Sequence, residues 1–195
     1  MPNWCSNNIT IQGPTETIKA LWEDDTEIVG ENNEERGLLE AMVPMPEQLR
    51  NTVKGSGDDL QTEVYDGATN WYDWAVNRWG TKWDVSSEGL EFTDNGDGTA
   101  SIQGWFESAW APPIEAYNNF LDDMDNCSIV ASYYEPGMDF AGFYDNGIEE
   151  HMDNLHDQYE LPEAERSPLF KRLDEEYDLV YQFQEWDEMN AEMDN

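Results

Sequence analysis

The stretch Asn3-Trp4-Cys5-Ser6-Asn7-Asn8-Ile9-Thr10-Ile11-Gln12, closed by Gly13-Pro14, decides the fold. Large apolar Trp4, Ile9 and Ile11 stand among polar neighbours, as in a half-buried strand, and the Gly-Pro pair ends it. Ile18, Leu21 and Trp22 then recur at i, i+3, i+4 spacing and predict an amphipathic helix. A strand running straight into a helix is the unit from which the rest is read.

That unit returns further on. Ala111-Pro112-Pro113 sets a proline at the first helical position, and Ile114, Tyr117, Phe120, Leu121 and Met124 continue as one apolar face. Ser128 to Tyr134 reads as the following strand. Between the two units, residues 24 to 37 and 47 to 69 read as loops around a short apolar run, Leu38 to Val43, that stops at Pro44-Met45-Pro46. Trp71, Trp74, Ala75 and Arg78 have helical spacing within Asn70 to Trp79. Lys82 to Val85 and Ser101 to Phe106 read as strands, with a further apolar piece at Leu90 to Phe92. Asp94-Asn95-Gly96-Asp97-Gly98 forms a hairpin turn, and it lacks the ligand spacing of a calcium loop. One more strand, Phe140 to Tyr144, follows Pro136-Gly137.

The order is strand, helix, strand, strand, helix, strand, with one extra strand appended. It predicts an α+β chain with a ferredoxin-like antiparallel sheet and two helices on one face. The likeness to ferredoxin is topological, since Cys5 and Cys127 cannot ligate an iron–sulfur cluster. Both cysteines read as buried free thiols of a reducing compartment. No run approaches ~18 apolar residues, and no charged segment precedes an apolar one at Met1, so a soluble cytoplasmic protein is expected.

Residues 1 to 147 read as the ferredoxin-like domain and 148 to 195 as an acidic helical extension. Taken as one helix from Leu169, the extension places Leu169, Leu173, Leu179, Val180, Phe183 and Trp186 in one arc of about 140°. Asp174, Asp178, Glu185, Glu188 and Glu192 fall opposite, in an arc of about 80°. As a straight helix that row is about 27 Å long, near eight base pairs of duplex. An ordinary solvated helix face gives the same pattern.

Across the whole chain 44 acids stand against 9 Lys and Arg, a net charge of −35 on 195 residues. Such a field repels phosphate, so the general surface is not expected to bind nucleic acid or an anionic membrane. Aromatic residues make up 13% of the chain, which excludes a disordered acidic tail. Two readings of the charge remain, adaptation to salt and mimicry of nucleic acid toward a basic partner. A folded chain of this mass exposes roughly 9,500 Å2, about one net charge per 270 Å2. Duplex DNA has about one per 110 Å2 of its cylinder, so mimicry requires the acids to gather on one side.

Trp79-Gly80-Thr81-Lys82-Trp83-Asp84, Ser108-Ala109-Trp110-Ala111-Pro112-Pro113, and Tyr133-Tyr134-Glu135-Pro136-Gly137 through Phe140-Ala141-Gly142 are specific in type. With Met1 to Asn7 and Pro44-Met45-Pro46 they resemble Api-like phage proteins carrying a YubB-type ferredoxin-like domain. Those proteins come from phages, prophages and conjugative plasmids. The resemblance spans roughly residues 1 to 147 and implies the fold and a mobile-element origin, without an activity. The strong acidity and the segment after Gly147 depart from that family.

Read from the residues alone, Trp79, Trp83 and Trp110 can close the core, with Lys82 and Arg78 pairing to Asp84 or Glu135. A sharper reading gathers Trp79, Lys82, Asp84, Trp110, Tyr134 and Glu135 into a polar-aromatic cleft for a nucleotide or other small molecule. His151 and His156, about 140° apart on a helix, do not form a metal pair. No nucleophile elbow, phosphate loop or zinc spacing is present. The leading expectation is therefore a non-enzymatic phage or mobile-element interaction protein, without cofactor or metal. Its acids would engage a basic host nucleic-acid-binding or defence protein.

Overall fold

The computed structural model describes residues 3–25, 28–29, 34–54 and 64–193. Its first strand, β1 (Trp4–Pro14), turns Cys5, Asn7, Ile9 and Ile11 into the core and leaves Thr10 and Gln12 exposed. α1 (Thr15–Asp25) follows at once and buries Ile18 and Leu21. The region expected to be loop holds a two-strand pair, β2 (Ile28–Val29) with β3 (Glu34–Glu35). Three short helices then pack onto the same core: α2 (Leu38–Met42), α3 (Glu47–Arg50) and α4 (Trp71–Arg78).

β4 (Leu90–Asp94) and β5 (Thr99–Ala109) form the predicted hairpin. The acids of its turn are occupied locally. Asp94 accepts from the Gly96 N–H at 2.9 Å, and Asp97 accepts from the N–H and hydroxyl of Thr99 at 3.0 and 2.7 Å. α5 (Ile114–Asp123) and β6 (Ser128–Glu135) complete the second unit. β7 (Phe140–Asp145) and β8 (Ile148–Asp153) then extend the sheet beyond it.

The sheet order is β4-β5-β1-β6-β7-β8, with every neighbouring pair antiparallel. The first four of these positions are the ferredoxin-like arrangement, in which the opening strand sits between the third and fourth. The extra strand read at Phe140 to Tyr144 is β7. The sheet does not stop there: residues 148 to 153, read as the start of a helical extension, form β8. Lys82 to Val85 is not a strand, and β4 occupies the place assigned to it.

Each face of the sheet carries its own core. On one face, Ile9, Ile11, Ile102 and Ile129 meet Ile18 and Leu21 of α1 and Ala116, Tyr117 and Phe120 of α5. The opposite face is partly covered by α6 (Leu155–Tyr159), α7 (Pro168–Tyr177) and α8 (Leu179–Met193). Phe170, Leu173, Leu179 and Phe183 pack there against Tyr134 and Ala141. Asn8 donates to Glu176 at 2.7 Å, and the Tyr177 hydroxyl donates to the Ser132 hydroxyl at 3.1 Å, docking α7 on the central strands. Over β4 and β5 the same face stays open as a shallow groove floored by Thr10, Gln103 and Trp105.

The C-terminal segment is not one helix. α7 ends at Asp178, whose φ of 52° is left-handed, and α8 starts at the next residue. Asp174 turns its carboxylate onto the Val180 N–H at 2.8 Å and so satisfies one of the unpaired donors at the start of α8. The straight row from Asp174 to Glu192 therefore does not form.

Candidate functional site

The residues read as a cleft are distributed over five places. Trp79 is buried and donates its indole N–H to the Val43 carbonyl at 2.9 Å, which makes it core. Asp84 accepts from the N–H groups of Gly37, Leu39, Glu40 and Val85 at 2.8–3.3 Å. α2 has no capping side chain of its own, and Asp84 supplies the missing acceptor from a distant part of the chain. Glu135 is fully buried and accepts from the N–H groups of Gly137 and Met138, closing the β6–β7 turn. Tyr134 points to the opposite sheet face and packs on Tyr177.

Lys82 and Trp110 do come together. The Thr81 hydroxyl donates to the Ala109 carbonyl at 2.8 Å and holds the loop against the end of β5. Lys82 Nζ then lies 4.4 Å from the Trp83 ring, 5.2 Å from Trp110 and 6.0 Å from Tyr72. Trp4 adds a further ring 6.1 Å from Trp83. Trp4, Trp83 and Trp110 are each 39–45% exposed, so Trp83 and Trp110 do not close the core. Among the described residues Lys82 makes no ion pair, and Arg78 pairs with Asp66 at 3.7 Å. Neither cation pairs with Asp84 or Glu135.

The two histidines lie on different elements, His151 on β8 and His156 on α6. Tyr133 crosses beneath β7 at Gly142, where an added Cβ would fall 2.3 Å from its hydroxyl, and donates to Glu149. His151 Nδ1 is 2.9 Å from that hydroxyl, and His151 Nε2 is 3.0 Å from Asp153. Burial, then the hydrogen bond to Glu149, pushes the Tyr133 hydroxyl far above its ordinary value. It is a held donor joining β6 to β8, not a nucleophile.

A second aromatic cluster was not read from the sequence. Between the β6–β7 turn, α6 and α8 lies a cavity of about 500 Å3 lined by Tyr134, Phe183, Trp186, His156, Asp139 and Gln182. Asp139, at a left-handed φ of 58°, accepts the His156 N–H at 3.1 Å through Oδ2 and so orients α6. The His156 ring meets Phe183 edge-on at 5.2 Å and Trp186 at 5.6 Å. Burial, then the carboxylates of Asp139 and Glu135, pushes the Tyr134 hydroxyl up to about 12. Asp139 Oδ1 and His156 Nε2 are shut off from solvent and make no hydrogen bond among the described residues.

Of the acids read as a ridge, Glu185 and Glu188 lie one turn apart on exposed positions of α8. Asp174 is engaged with Val180, Asp178 is the break between the helices, and the side chain of Glu192 lies outside the described residues. Among the described residues no group of three or more His, Cys, Asp or Glu is placed to hold a metal ion, and no helix is long and apolar enough to cross a membrane.

No family model matches the chain, and no curated protein matches it. Among solved structures it is similar to the crystal structure of protein api92 from Yersinia pseudotuberculosis, of family model DUF1281. The two share 12% identity over 78% of this chain and 98% of that chain, with a TM-score of 0.42.

Proposed function

We propose that this chain is a non-enzymatic interaction protein whose C-terminal layer engages a basic, nucleic-acid-binding protein, in the setting of a mobile element. The observation that carries the reading is the outer surface of α8. Tyr181, Trp186 and Met189 are 53–60% exposed there, beside exposed Glu185, Asp187 and Glu188, and α8 contains no Lys, Arg or His. Solvated helix faces bear charge, but they do not ordinarily expose Tyr, Trp and Met together, whereas interfaces are enriched in these types.

Charge distribution supports the same surface. Residues 148–195 hold 16 acids and 3 Lys or Arg, a net −13 on 48 residues, against −22 on the preceding 147. Several cations of the preceding part are matched to acids, as in Lys19–Glu23, Arg36–Asp24, Arg50 with Glu40 and Glu47, and Lys54–Asp73, and in the C-terminal part Arg172 is matched to Glu150. An exposed area of 11302 Å2 shared by 35 net charges is about 320 Å2 each, thinner than the duplex average. The carboxylates thus act locally, steering a cationic cleft onto the apolar residues of α8.

The test is a titration with a basic 20-residue peptide of alternating Arg and Leu, with duplex DNA as competitor. Joint Glu185→Lys and Glu188→Lys should weaken binding by about tenfold, and affinity should fall steeply with salt. A control of equal charge, joint Glu16→Lys and Asp123→Lys, should cost less than about threefold. Equal losses in the two variants would show a response to net charge alone and defeat the reading.

A further inference from the structure

We infer that the cavity between the β6–β7 turn, α6 and α8 binds one alkylammonium or guanidinium group, as a Lys or Arg side chain presents. The inference deepens the docking reading, and rests on it only for the source of that cation.

The lining selects the chemistry. Tyr134, Phe183 and Trp186 supply rings whose faces attract cations, the principle of cages that hold organic ammonium ions. Asp139 brings a carboxylate to the lining, and among the described residues its Oδ1 accepts no hydrogen bond. A purely apolar ligand leaves the carboxylate unmatched, and an anion would face it directly. A positively charged N–H donor complements the carboxylate and the ring faces together.

His156 narrows the fit. Its Nε2 lies 3.7 Å from Asp187 Oδ1, which sets a second carboxylate against the lining. A guanidinium carries several donors in a planar fork and can meet more than one acceptor at once. The volume, about 500 Å3, lies within the ~300–1,000 Å3 of ordinary ligand sites. Within the C-terminal layer, Arg166 cannot fill it. Its guanidinium lies against Tyr159 and Phe170 and donates to the carbonyls of Leu161 and Tyr159.

The experiment follows the tryptophan indole N–H signals of the full chain by NMR during titration with N-acetyl-arginine methylamide. The neutral isostere N-acetyl-citrulline methylamide is the control. Trp186 should shift and saturate at about millimolar arginine probe, with citrulline at least about tenfold weaker. Asp139→Asn should weaken the arginine probe by at least about tenfold. Asn tolerates the left-handed backbone, and its amide oxygen keeps the bond to the His156 N–H. Trp186→Leu, at a residue 53% exposed, should abolish binding without lowering the melting midpoint.

Equal binding of citrulline, or unchanged affinity in Asp139→Asn, overturns the inference, as does a response confined to Trp4, Trp83 and Trp110. Loss of probe selectivity with peptide docking intact defeats the cavity alone. A normal probe titration in a chain whose two charge reversals behave alike defeats the docking reading alone.

Discussion

Two aromatic clusters of this chain are built around opposite charges. At the end of β5, rings of Tyr72, Trp83 and Trp110 surround Lys82, a cation the chain supplies itself. Between α8, α6 and the β6–β7 turn, the rings of Tyr134 and Phe183 and the half-exposed ring of Trp186 stand with Asp139, and the lining contains no Lys or Arg. The first arrangement is complete, so its exposed tryptophans shield an internal pair. The second has the same kind of wall and a carboxylate, and its complement has to come from outside. In a chain of 9 Lys and Arg against 44 acids, the position of the few cations separates a finished contact from an open one.

The largest expected effect breaks one cluster and spares the other. Phe170 is fully buried in the core beneath α8, so Phe170→Ala should destabilise by about 3–5 kcal/mol in chemical denaturation. Tyr134 and Trp186 should lose their fixed environment, and the signals of Trp83 and Trp110 should persist. Equal broadening of both clusters would mean that the two cores unfold as one. A smaller change sharpens the contrast. Lys82→Ala removes ring contacts worth about 0.5–2 kcal/mol and leaves an empty cage. The variant should gain binding of N-acetyl-arginine methylamide, reported by Trp83 and Trp110. Silence there would show that the rings pack without regard to the cation.

The last effect, silent at neutral pH, concerns Cys5, which lies on β1 between Trp4 of one cluster and the Glu135 turn of the other. Burial, then the charges of Glu135 and Glu107, pushes its thiol from about 9 up to about 12 despite the Ser108 hydrogen bond. The folded state therefore holds this proton more firmly than the unfolded chain does. The stability it contributes is complete below pH 9 and is lost as pH rises toward about 12. Melting midpoints taken across that window should decline less steeply in Cys5→Ala than in the parent chain. Parallel curves would remove Cys5 as a cause.

The ferredoxin-like half was legible because its signals are local. β1 and its partners bury one face and wet the other over much of their length, and the Asp94 to Gly98 turn satisfies its own carboxylates. β8 was missed for the complementary reason: Ile148 to His151 and Asp153 are exposed, so the edge strand has almost no period to read. Lys82 to Val85 alternates like a strand, yet Asp84 is taken by the N-terminus of α2. The break at Asp178 is silent because Leu173 and Phe183 reach one core on either side of it. The cavity left no sequence signal, since Asp139 and His156 meet only through the β6–β7 turn and α6.

β8 is one of the two edge strands of the sheet, pairing with β7 and, among the described residues, with no strand beyond it. Glu149, Glu150 and Asp153 stand along this rim. A second molecule trying to continue the ladder would bring its own three carboxylates into the same narrow seam, where like charges repel. At this one edge the sheet thus ends in an acidic fence, which disfavours a second copy added to β8.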